Sequence, residues 1–173
     1  MGISPRKRKN RNKAKRILQR FKRFNAKTGR FENKETKIEV IIRHILMAND
    51  IRFIQEKIIP FLGSYKKYDF YCWEEDKDGN RLWEFFIEAH GTYFHAKEYV
   101  KKKVTRRHVN LMQKKNVKND QIKINLAKKI NVPLIVFWED TIRNSPTYVR
   151  NILLRKIKEL KTREDKTFFY EDY

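Results

Sequence analysis

The segment FFIEAHGTYFH, residues 85–95, sets one carboxylate and two imidazoles inside a run of phenylalanine, isoleucine and tyrosine. Core-forming runs normally exclude charge, because a buried ionised carboxylate is costly unless it is paired or metal-bound. Glu88, His90 and His95 are therefore candidates for chemistry. A carboxylate can bind a divalent cation, and imidazoles exchange protons near neutral pH.

The elements that would position these groups begin with YDFYCWEEDKDGNRLWEFFIEAHG. Two aromatic-rich runs flank Asp78-Gly79, a dipeptide that favours a tight hairpin turn. A two-residue loop there sets Lys77 opposite Asn80 and Asp69 opposite Glu88. Strand alternation then puts Asp69, Glu88 and His90 on one face and Phe85, Ile87 and Ala89 on the other. Facing carboxylates repel, so a cation between them is expected, and a divalent metal on oxygen ligands meets that need. Two rim carboxylates in water are the simpler alternative. Further acids lie near apolar faces: Glu39 on the line of Ile42 and Leu46, and Asp120 with Val117, Ile124 and Ala127.

Composition narrows the partner. The 173 residues carry a formal charge of +21, far more than solubility requires, which points to a polyanion and first to nucleic acid. Residues 1–30 contain thirteen Lys or Arg and no acid. Such a run grips phosphates through Arg6, Lys7, Arg8, Lys9 and Arg11, or serves as an unstructured tail. Within it, Ile17, Leu18, Phe21 and Phe24 have helical spacing. A single cysteine, Cys72, excludes an intrachain disulfide and a cysteine-built zinc site. No apolar stretch has a membrane span's length, and no secretory signal follows the basic N-terminus, so a cytoplasmic protein is expected.

From residue 35 the chain reads as helix (TKIEVIIRHILMAND), strand (IRFIQEKIIPF), hairpin, helix (VKNDQIKINLAKKINV), strand (PLIVFWE) and helix (SPTYVRNILLRKIKELK, with Ser145 as cap). A long basic loop with room for one helical turn is expected over 96–116, and residues 162–173 give no clear element. The order predicts an α/β domain over 35–161, a mixed central sheet flanked by helices, preceded by a 1–34 basic arm.

Two segments, HGTYFH and KNVKNDQIKINLAKKINVPLIVFWE, resemble the very-short-patch (Vsr-like) repair endonucleases and the phage homing endonucleases of the EDxHD group. The likeness spans roughly residues 36–140, with Glu-x-His in place of the Glu-x-Lys of the restriction-endonuclease-like, PD-(D/E)xK, core. It implies that fold, cleavage of double-stranded DNA with Mg²⁺ or Mn²⁺, and action inside a phage-infected bacterial cell. It also implies Asp69 as principal metal ligand, a backbone carbonyl ligand from Ala89, and Glu39 holding water on the metal. His95 would act as general base or acid, oriented by Asp120, and His90 would contact the phosphate. Glu88 joins the metal set on hairpin geometry alone. Tyr93 and Phe94 match aromatics pushed into the base stack, although core packing would account for them equally. Lys101, Lys102, Lys103, Arg106 and Arg107 would hold the flanking backbone. The repair enzymes carry a structural zinc on Cys and His; with Cys72 alone none is expected here, which favours homing over mismatch nicking. A homodimer on DNA stays open. A non-catalytic basic binding protein explains the charge, yet not an acid-rich site that would repel phosphate without a metal.

Overall fold

The computed structural model describes residues 22–25, 30–33, 35–103, 105, 108–162 and 168–173. The chain divides into two units, 1–36 and 37–173. In the first, β1 (Lys22–Asn25) and β2 (Arg30–Asn33) form an antiparallel pair, with Phe24 opposite Phe31. Phe24 thus lies on a strand. Ile17, Leu18, Phe21 and the arm residues Arg6, Lys7, Arg8, Lys9 and Arg11 lie outside the described residues.

The second unit is an α/β domain whose five-stranded mixed sheet has helices on both faces. It opens with α1 (Lys37–Ala48), which buries Ile38, Ile42 and Leu46, one residue per turn on a single stripe. Then come β3 (Phe53–Phe61), β4 (Ser64–Glu75), β5 (Arg81–His90), α2 (Lys97–Val100), α3 (Leu111–Lys129), β6 (Leu134–Trp138), α4 (Glu139–Asn144), α5 (Pro146–Thr162) and β7 (Tyr170–Asp172). The sheet order is β3-β4-β5-β6-β7. The first three strands are antiparallel, and β5, β6 and β7 run parallel.

Strand alternation builds the two cores. Phe70, Cys72, Phe85, Ile87, Ala89, Ile135 and Phe137 pack against α1, α4 and α5 on one face. Tyr71, Phe86, Leu134 and Val136 pack with Ala127 of α3 on the other. Both faces are covered, so β6 is apolar at all five positions, as the run LIVFW foreshadows.

The central hairpin keeps the expected register but closes differently. Asp76 Oδ1 accepts the backbone N–H of Asp78 and Asn80 at 2.9 and 2.8 Å, and the Asp76 N–H donates to Asn80 O at 3.0 Å. Asp76–Asn80 is therefore a longer loop than the two-residue turn, with Gly79 at φ +83° supplying the left-handed residue. Glu75 pairs with Arg81, and a bulge then puts Trp83, not Leu82, opposite Glu74. The extra residue cancels the slip. Phe70 faces Ile87 as the simpler turn would have it.

The segment after residue 162 supplies the fifth strand. Leu134 and Trp138 N–H donate to Phe169 and Tyr173 O at 3.0 and 2.9 Å. Lys156 of α5, only 5 % exposed, donates to Glu171 at 2.6 Å and to Glu159 at 2.8 Å. Lys156 thus turns inward from α5 to hold β7. Among the described residues no helix is long and apolar enough to cross a membrane.

Candidate active site

The carboxyl end of β5 carries Glu88 and His90 toward α3, since the core takes the alternate residues Ile87 and Ala89. Both are buried, at 2 % and 5 % exposure. On α3, Asp120 and Lys123 lie one turn apart and so face the same end of the strand. Beyond His90 the chain turns back, with the His95 N–H donating to Gly91 O at 3.0 Å. That turn lays the His95 ring on the His90 ring, centroids 3.9 Å apart and planes 10° from parallel.

His95 Nδ1 lies 2.7 Å from Asp120 Oδ2. A carboxylate oxygen accepts, so the proton of this bond sits on Nδ1, which leaves Nε2 as the other ring nitrogen. His90 Nε2 is 3.7 Å from Glu88 Oε2 and 3.9 Å from Asp120 Oδ1, too far for hydrogen bonds. Among the described residues, His90 Nε2 and Asp120 Oδ1 are both buried without a hydrogen-bond partner.

The cation beside Glu88 is Lys123, a residue with no role in the sequence reading. Its Nζ donates to both carboxylate oxygens, at 2.8 and 2.7 Å. The Glu88 charge therefore has a cationic partner within the chain itself. Burial by itself would raise the Glu88 pKa, but Lys123 and the adjacent His90 outweigh it and hold the carboxyl below the usual glutamate range. Burial likewise opposes the Lys123 charge, and Glu88, Asp69 and Asp120 together lift its pKa above the ordinary value.

Asp69 lies at the end of the β4–β5 ladder, where Phe70↔Ile87 is the last rung. Its Oδ2 accepts the Ala89 N–H at 2.8 Å. Burial first and Glu88 second push its carboxyl well above the usual range; Glu39 adds to this, against Lys123 and the Ala89 bond. Glu39, in the first turn of α1, is thus within electrostatic reach of Asp69. The structure brings Glu39, Asp69, Glu88, Ala89, His90, His95 and Asp120 to one region from α1, β4, β5, the 91–96 turn and α3.

Around this site the 91–96 turn is pinned to the start of α3. Asn110 caps that helix, accepting the Gln113 N–H at 2.9 Å while Gln113 Oε1 accepts the Asn110 N–H at 3.0 Å. The same side chains reach the turn: Asn110 Nδ2 donates to the Tyr93 hydroxyl at 3.2 Å and Gln113 Nε2 to Tyr93 O at 2.7 Å. Asn116 Nδ2 donates to Phe94 O at 2.9 Å. Helix α3 therefore begins at Leu111, inside the stretch expected to be loop. Asn110→Ala is expected to cost about 1 kcal/mol, seen as a lower denaturant midpoint at unchanged slope.

Tyr93 and Phe94 are 61 % and 54 % exposed, which removes core packing as their explanation. Lys101, Lys102 and Lys103 are exposed, with Lys101 reaching Asp172 at 2.8 Å. Arg106 and Arg107 lie outside the described residues.

No family model, curated protein or solved structure matches the chain. Its function must therefore be argued from this geometry. The signals missed in the sequence were local ones. Asn110-x-x-Gln113 is a capping box, and Lys123 follows Asp120 at the i,i+3 spacing that places two side chains on one helix face.

Proposed function

We propose that the chain is a metal-dependent DNA endonuclease with a restriction-endonuclease-like core, hydrolysing phosphodiester bonds of double-stranded DNA. The observation that carries this reading is the half-buried His95–Asp120 pair set among Asp69, Glu88 and Lys123 in a protein of net charge +21. Basic binding surfaces have no use for a carboxylate cluster, which repels phosphate unless a cation intervenes.

The donor chemistry around Asp69 fits Mg²⁺ or Mn²⁺. Its carboxyl is forced toward the protonated state by burial and by Glu88, the situation a divalent cation relieves. Asp69 would hold the ion, with the Ala89 carbonyl and Glu39 as further oxygen donors. When bound, such an ion supplies Lewis-acid stabilisation of charge on the phosphoryl oxygens. Glu88 stands apart, as the partner that holds Lys123.

The chain's own residues divide the remaining work. Nε2 of His95 accepts the proton of the attacking water or returns it to the leaving oxygen, and Asp120 fixes the tautomer and steadies the imidazolium. Lys123, a cation facing Asp69 and Glu88, is placed to offset charge on the phosphate. His90 backs His95 by ring stacking and contacts the phosphate. Tyr93 and Phe94 project where they can enter the base stack, while Lys101, Lys102 and Lys103 hold the flanking backbone. The resemblance to phage homing endonucleases makes cutting at one site, in a bacterial host, the finer form of this proposal.

The test is cleavage of randomised and phage genomic DNA by the full chain with Mg²⁺ and with EDTA. We expect cuts only with metal, recurring at one sequence. His95→Ala should lower the rate by roughly 10²–10⁴-fold at unchanged DNA affinity. Binding without cleavage under every condition would overturn the reading in favour of a non-catalytic binder.

A further inference from the structure

We infer that His90, His95 and Asp120 form a second metal site, selective for a borderline transition ion such as Zn²⁺ and distinct from the oxygen-lined position at Asp69. One nitrogen of each ring and an Asp120 oxygen lie within 4.8 Å of one another. A tetrahedral zinc centre with bonds of about 2.0–2.1 Å spaces its ligands roughly 3.3 Å apart. The 3.9 Å between His90 Nε2 and Asp120 Oδ1 must close by about half an ångström, and the stacked His90 and His95 rings must rotate apart so that their in-plane lone pairs converge on the ion.

Two independent features point to a ligand here. Among the described residues, His90 Nε2 and Asp120 Oδ1 are two of the four buried side-chain atoms left without hydrogen bonds, and these two face each other. Buried polar atoms are rarely orphaned, and a cation between them satisfies both at once. The surrounding charge allows it, since the Lys123 ammonium is bound through both oxygens of Glu88.

The donor set decides which ion. Mg²⁺ takes oxygen ligands and sheds water reluctantly, so two imidazoles and one carboxylate suit it poorly. Imidazole donors favour Zn²⁺, Cu²⁺ or Ni²⁺ over Mg²⁺ and Mn²⁺. Three protein ligands leave a fourth position open. Occupancy removes both imidazoles from proton transfer, so Zn²⁺ should arrest a Mg²⁺-supported reaction; this consequence, unlike the binding itself, rests on the nuclease reading.

The experiment is a titration of the chelator-treated full chain with Co²⁺, which reports tetrahedral nitrogen–oxygen ligation by visible absorption, followed by displacement with Zn²⁺. We expect one equivalent, displaced by Zn²⁺, lost in His90→Asn and in Asp120→Asn and kept in Asp69→Asn. Thermal melts of each variant establish that it is folded, and His44→Asn with His108→Asn provides a control that should leave binding intact. Absence of a tetrahedral band, or its survival in both site variants, overturns the inference. DNA cleavage is measured in parallel with Mg²⁺ in excess: loss in proportion to Zn²⁺ occupancy supports the arrest. A chain that binds one Co²⁺ but never cuts DNA refutes the nuclease and leaves the metal site established.

Discussion

Asp69→Asn is expected to abolish Mg²⁺-dependent cleavage and to make the folded protein more stable. Asn keeps an oxygen to accept the Ala89 N–H, so the 2.8 Å bond survives. It removes a charge that burial and Glu88 oppose. The direction follows from linkage. A carboxyl with its folded pKa above its unfolded one contributes stability below the unfolded value, near about 3.9, and that contribution is lost as pH rises through the folded value. Above the unfolded value wild type loses this contribution as the pH rises, whereas the neutral amide has no charge to bury. A gain of about 1 kcal/mol, or roughly 2–4 °C in Tm, is expected at pH 7, shrinking as pH falls below the carboxylate range. Mg²⁺ should then raise the wild-type Tm by mass action and leave the variant unmoved. Melts at several pH values, with and without Mg²⁺, check each part. A variant less stable than wild type at pH 7 would refute the electrostatic account of Asp69.

Lys123→Met should cost stability on a larger scale. It leaves the Glu88 carboxylate, with a side chain 3 % exposed, facing only the distant His90 nitrogen. Breaking a buried pair from one side typically costs about 3–5 kcal/mol, here a fall in Tm of about 10 °C. The pH dependence also changes sign at Glu88. In wild type its depressed pKa gives stability above the unfolded carboxylate range, lost as pH falls through the folded pKa. Without Lys123, burial dominates and acid should stabilise. Adding Glu88→Gln to Lys123→Met should recover most of the loss, because the uncompensated charge goes with it. A double variant as unstable as the single would mean that Lys123 acts through packing. Cleavage by the double variant separates structure from chemistry: a folded protein that fails to cut assigns the pair to the reaction.

These expectations rest on residues that were unequally legible. The alternation in FFIEAH was enough to send Phe85, Ile87 and Ala89 into one core and Glu88 and His90 to the other face, because side chains on a strand alternate whatever the sheet. The amphipathic stripe of α1 and the apolar run of β6 were readable for the same reason: local periodicity reports the face that is buried. The β4–β5 register was right although its turn was not, since the Leu82 bulge offset the longer Asp76–Asn80 loop. The Leu62-Gly63 turn between β3 and β4, with φ of 43° and 69°, escaped notice because leucine rarely takes that conformation.

The amino-acid sequence alone thus determined the burial faces, the order of the longer elements from α1 to α5 without the short α2 and α4, and the presence of carboxylates and imidazoles where apolar residues were due. Only the tertiary structure decided how those groups pair. Lys123 meets Glu88 across 35 residues, and Glu171 of the last strand meets Lys156 of α5; the His95–Asp120 contact is the one that the resemblance implied. Periodicity carries the direction a side chain points but not which distant element stands opposite it. That choice is made when helices dock on the sheet, and it brings the Lys123 ammonium to Glu88, where a cation was expected.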